Sequence, residues 1–132
     1  MKLRDDQLDA PSLSAIGSEA ARLLALAKYD LLAGEFGYAL SYDRQPAGAL
    51  RDDVKRCLTD DGRLARLGGP AEADISVSYF KPGESNLVAL VECLLPLSGD
   101  PGSMLLELIV TKSGTQHHVC IEDISYAPAA SV

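Results

Sequence analysis

The apolar positions of this chain change their period once, near the middle, and that change restricts the fold more than any other feature. From Ser12 onward Ile16, Ala20, Leu23, Leu24, Ala27 and Leu31 recur at steps of three and four, the stripe of an amphipathic helix. Gly34 is the expected stop, and a further short helical turn is expected around residues 36–42. Residues 43–46 interrupt the pattern, after which Leu50, Val54, Cys57 and Leu58 fall at i, i+4, i+7 and i+8 and Asp61-Gly62 ends a second helix. Beyond that point the period is two. Residues 75–80, 87–95, 104–112 and 117–126 read as strands, separated by Lys81-Pro82-Gly83-Glu84, Ser98-Gly99-Asp100-Pro101-Gly102 and Ser113-Gly114. Helices followed by consecutive strands predict an α+β domain, with N-terminal helices packed on one face of a curved antiparallel meander sheet of four or more strands.

A chain of 132 residues suits a single domain over 1–132, with residues 1–12 as a flexible lead-in and 127–132 as a flexible tail. A hydrophobic share of 47% against 23% charged excludes a disordered chain. The longest apolar run, residues 87–97, is interrupted by Glu92 and Pro96 and falls far short of the roughly 20 residues that span a bilayer, so no membrane partner is expected. The opening Met1-Lys2-Leu3-Arg4-Asp5-Asp6-Gln7-Leu8-Asp9 lacks the apolar centre of a secretory leader, which makes the cytoplasm the expected compartment. Cys57, Cys93 and Cys120 are odd in number and widely spaced, the pattern of reduced thiols rather than of disulfides or zinc ligands.

Net charge is −7 and unevenly spread: residues 1–70 hold 10 basic and 11 acidic side chains, residues 71–132 hold 2 and 8. A surface this acidic opposes the phosphates of nucleic acid and attracts basic partners. Catalytic and metal motifs are weak. His117-His118 places adjacent imidazoles on opposite sides of a strand, so no metal is expected there. Asp60-Asp61-Gly62-Arg63 lacks the later ligands of a calcium loop, Gly68-Gly69-Pro70 lacks the spacing and lysine of a phosphate loop, and no Gly-x-Ser-x-Gly elbow occurs. Neither a cofactor nor a catalytic residue is assigned.

Strand parity supplies the candidate surface. A hairpin turning about Gly99 and Asp100 sets Glu92 opposite Glu107, and the next hairpin, turning about Gly114, adds His117, Val119, Ile121 and Asp123 to the same face. Val88, Leu90, Leu94, Leu105 and Ile109 surround these ionisable groups. The opposite, core face is expected to carry Leu87, Ala89, Val91, Cys93 and Leu95, then Met104, Leu106, Leu108 and Val110, then Cys120, Ile124 and Tyr126. Glu92, Glu107, His117 and Asp123 are accordingly the predicted partner-binding residues. An alternative is a ligand pocket between helix and sheet lined by Tyr29, Phe36, Tyr38, Tyr79 and Tyr126.

The succession of a helix around residues 23–34, a helix around 50–58 and long strands through Tyr79, Glu92, Glu107 and Asp123 resembles the cone-shaped α+β domains of the cystatin-like and nuclear-transport-factor-like superfamily. Leu31-Leu32-Ala33-Gly34-Glu35-Phe36 and Ile121-Glu122-Asp123-Ile124 also look like a small bacterial domain family without an assigned activity. The resemblance implies a curved sheet wrapped around a helix, used by some members for isomerase or dehydratase chemistry and by others for binding or dimerisation. The acid-bearing face lies away from the helices, so no enzymatic role is carried over. The preferred expectation is a non-catalytic acidic module that binds a basic protein, as an immunity-type inhibitor binds a toxin. A pocketed small-ligand binder or enzyme and a structural homodimer are the alternatives.

Overall fold

Asp9 opens the first helix by accepting two hydrogen bonds from Ser12, 3.1 Å from the backbone N–H and 2.7 Å from the hydroxyl, while Pro11 sits in the first turn, where its missing N–H is not needed. The computed structural model describes residues 1–69, 73–83 and 85–129. α1 spans Ala10–Ala25, α2 spans Tyr29–Phe36 and α3 spans Pro46–Thr59. The single helix expected to reach Gly34 is therefore two. Lys28 N–H bonds to Leu23 O at 2.9 Å and Ala27 N–H to Leu24 O at 3.0 Å, closing α1 with Ala27 in the left-handed region at φ 56°. Gly34 lies inside α2, and the stop is Gly37, at φ 70°.

The strands are β1 (Lys2–Leu3), β2 (Arg66–Leu67), β3 (Asp74–Tyr79), β4 (Leu87–Ser98), β5 (Ser103–Ser113) and β6 (Gln116–Ala127). β3 to β6 form the antiparallel meander, in a strongly curled sheet that makes a half-barrel against which the helices pack. Two short strands were not legible in the sequence. β1 pairs with β6 through Lys2 and His118 and through Leu3 and His117, with Leu3 buried, so the segment expected to lie loose is anchored on the sheet. β2 pairs with the far end of β4. Residues 130–132 of the expected tail, Pro70 of the expected connector and Glu84 of the expected turn lie outside the described residues.

Between helices and sheet lies one apolar core, built from Leu13, Ala20, Leu24, Leu32, Leu50 and Val54 on the helical side and from Val91, Cys93, Leu106, Leu108, Val119 and Ile121 on the sheet. α1 approaches the sheet closely at Gly17. A Cβ there would stand 2.8 Å from Val91 Cγ1, 3.1 Å from Ile75 Cγ2 and 3.2 Å from Cys93 Sγ, and the Cys93 thiol donates to Gly17 O at 3.5 Å. Glycine in mid-helix forfeits about 1 kcal/mol of helix propensity, whereas overpacking a filled core costs about 1–3 kcal/mol. We expect Gly17→Ala to lower stability by about 1 kcal/mol in urea denaturation, and Val91→Ala in the same chain to remove part of that loss.

Candidate functional site

The uncovered side of the sheet carries a row of carboxylates, with His118 of β6 and Lys2 of β1 on the same face beyond it. Ser76 of β3 pairs with Glu92 of β4, Glu92 with Glu107 of β5, and Glu107 with Asp123 of β6. Opposite side chains in a sheet point the same way, so Glu92 and Glu107 stand side by side on the face turned from the helices, while Asp123, opposite Glu107 in the bulge of β6, also borders a cleft beside α3. Leu90, Leu94, Leu105 and Ile109 flank them, each partly exposed. Burial raises the Glu107 carboxyl above its ordinary value, and the charges of Asp123, Glu92 and Glu122 raise it further. The predicted opposition of Glu92 and Glu107 is present, and Asp123 joins them.

His117 does not belong to this row, and the predicted face of β6 is corrected around it. The pairing shifts between Glu107–Asp123 and Leu108–Ile121, so that Glu122 and Asp123 together occupy a β-bulge opposite Glu107. One extra residue reverses parity. Before the bulge Val119 and Ile121 point into the core, both buried, while Cys120 pairs with Ile109 on the acid face; beyond it Ile124 is buried again. His117 pairs with Lys112 on the core side beside buried Leu3, and its Nδ1 is shut from solvent 3.7 Å from Asp5 Oδ1, outside hydrogen-bond range. A second shift between Leu87 and Ala89 moves Leu87 out of the predicted core row, leaving it exposed, and packs Val88 against the core instead.

The aromatic side chains of the alternative pocket are dispersed. Phe36 is in the core, Tyr29 is partly buried with Arg51 5.9 Å from its ring centre, and Tyr79 is an exposed edge residue whose hydroxyl donates to Leu8 O at 2.7 Å. Tyr126 donates to Asp100 Oδ2 at 2.6 Å and carries the Arg63 guanidinium 3.8 Å above its ring. Phe36, Tyr79 and Tyr126 border three separate surface clefts.

Tyr38 belongs to a cluster that sequence reasoning missed. Its hydroxyl donates to Asp53, a buried charge on α3. Arg44 donates to Asp53 through Nη1 at 3.1 Å and Nη2 at 3.3 Å, Arg56 adds a third cationic contact, and Arg44 Nη2 also donates to Leu40 O at 2.7 Å. Burial pushes the Asp53 carboxyl up, but hydrogen bonds from Arg44, Tyr38 and Arg56 outweigh it and hold the group below its ordinary value. Burial first, then the bond to Asp53, raises the Tyr38 hydroxyl. The cluster pins the segment between α2 and α3 onto α3. A signal was present: Asp53 falls on the same helical stripe as Ala49, Leu50, Val54 and Cys57, where an unpaired carboxylate has no place. A cleft of about 270 Å³ opens beside it, bordered also by Cys57, Arg63 and Asp123. Burial raises the Cys57 thiol and pushes that of Cys93 up to about 12, which suits inert thiols rather than nucleophiles. Among the described residues no group of three or more His, Cys, Asp or Glu side chains is placed to hold a metal ion.

The two carboxylate sites respond oppositely to pH. A folded value above the ordinary 4.5 makes Glu107 destabilising as pH rises through that window, so Glu107→Gln should raise stability by roughly 0.5–1 kcal/mol at pH 7, a gain that disappears below about pH 4 in pH-resolved thermal melts. For Asp53 the folded value is depressed, so its stabilisation is present above the unfolded value of 3.8 and lost as pH falls through the folded one. Asp53→Ala should cost about 3 kcal/mol at pH 7 and progressively less in strong acid, read by the same melts. Comparison of the chain with family models, curated proteins and solved structures returns no match.

Proposed function

We propose that this chain is a non-catalytic binding module that presents its acid row to a basic protein partner, in the manner of an immunity-type inhibitor. One observation carries the reading: Glu92 and Glu107 stand directly opposite one another on the face the helices leave uncovered, with Asp123 opposite Glu107 on the next strand. Like charges set directly opposite in a sheet work against folding, and a partner that brings cations removes that repulsion on binding. The half-exposed Leu90, Leu105 and Ile109 around them supply apolar contact area, and such patches on a monomer mark sites of association. The curl of the sheet around N-terminal helices supports the likeness to cystatin-like and nuclear-transport-factor-like domains. Among the described residues no helix is long and apolar enough to cross a membrane, and three unpaired thiols, two of them buried, fit a reducing cytoplasm.

The test is a fluorescence-polarisation titration with a labelled eight-residue peptide of alternating lysine and leucine at low salt. The wild-type chain should bind it, and Glu92→Lys with Glu107→Lys should weaken binding at least tenfold. Asp30→Lys with Glu35→Lys changes net charge equally at exposed positions on α2 and should leave most of the affinity intact. Equal losses in the two double variants would refute a localised acid-face site.

A further inference from the structure

Among the described residues every edge of this sheet is shortened or covered except one. β1 and β2 are two residues long, and the edge of β6 beyond β1 is met by Tyr38, which bridges to Ile121, and by α3. β3 is different. It spans six residues, pairs with β4 without a register shift, and among the described residues has no strand on its other side. It also lacks the devices that blunt an edge, since no proline, lysine or bulge interrupts Asp74-Ile75-Ser76-Val77-Ser78-Tyr79.

We infer that β3 is a self-association edge, on which a second copy of this chain adds its own β3 antiparallel across a two-fold axis, a contact separate from the acid row. A two-fold normal to the sheet keeps both helix layers on one side, so only residues of like parity lie opposite one another. Among such registers, the one centred on Val77 sets Val77 against Val77, Ile75 against Tyr79 and Ser76 against Ser78 of the second copy. These are the β-branched and aromatic pairs that stabilise antiparallel strands. Tyr79 is 52% exposed in the single chain while its hydroxyl is tied to Leu8 O, so the ring is already held at the edge.

Charge does not oppose the arrangement: in this register Asp74 of each copy meets Phe80 of the other, so no like charges stand opposite along the paired strands. The two acid rows would share one face of a continuous sheet. Three strand spacings and a two-residue stagger separate the two Glu92 positions, about 16 Å, which exceeds the ~8 Å screening length at physiological salt, so their repulsion does not oppose assembly.

Sedimentation or light scattering of the intact chain over about 10–500 µM should show a concentration-dependent dimer of the weak class that small interfaces form. Ser76→Lys with Ser78→Lys, at two exposed positions, sets like charges opposite and should raise the dimer dissociation constant at least tenfold. Ser76→Lys with Ser78→Asp sets opposite charges together in this register and should preserve the dimer. Under mild oxidation Val77→Cys should cross-link to itself and Ser76→Cys should not, because only the central residue meets its own copy. A chain monomeric throughout the range, a dimer indifferent to the paired lysines, or preferential cross-linking through Ser76→Cys would overturn the inference.

Discussion

The bulge at Glu122 and Asp123 decides which side of β6 is core and which is surface. Without it, a strand whose Val119 and Ile121 face the helices would turn Asp123 inward with them and leave Ile124 in water. An unpaired carboxylate in that apolar layer would cost several kcal/mol, far more than the local irregularity of one unpaired ladder position. The extra residue lets the strand bury Val119 and Ile121 on one side of the bulge and Ile124 on the other, while both acids remain at the surface. The row of Glu92, Glu107 and Asp123 is a consequence of that accommodation.

The molecule treats its carboxylates in two opposite ways. Asp53 is buried and surrounded by Arg44, Arg56 and Tyr38, so its charge is compensated and the loop before α3 is held in one place. Glu107 is partly buried among Glu92, Asp123 and Glu122 with no cation in the row. The first arrangement fixes a segment of the chain. The second leaves electrostatic strain on an uncovered face, and strain of that kind is relieved by a partner's positive charge. The contrast separates the structural cluster from the surface proposed for binding, although both are built from ordinary acidic residues.

Much of the architecture could be read from periodicity. The helical stripe through Leu23 and Leu24, the second through Leu50 and Cys57, and the alternation of β4 and β5 all correspond to elements of the structure. The pairing of Glu92 with Glu107 followed from the glycine-bearing turn between the strands, since a turn sets register when no bulge intervenes near the pair. Where reading failed, the cause was a local exception to periodicity. Ala27 adopts a conformation normally left to glycine, so nothing in the residue type announced the break between α1 and α2. The spacing of three between Ile121 and Ile124 was the mark of the bulge, and strict alternation passed over it.

The sequence by itself determined the α+β class, the order of elements and the acidic character of the second half, because propensity, hydrophobic period and charge are properties of neighbouring residues. Tertiary structure decided that His117 lies beside Leu3 rather than among the acids, that Asp53 gathers two arginines and a tyrosine, and that β3 has, among the described residues, a strand on one side alone. Each of those outcomes depends on segments distant in the chain meeting in space. Whether an added strand, a bulge or a buried ion pair forms is settled by the packing and desolvation energies of that meeting, which no local pattern encodes.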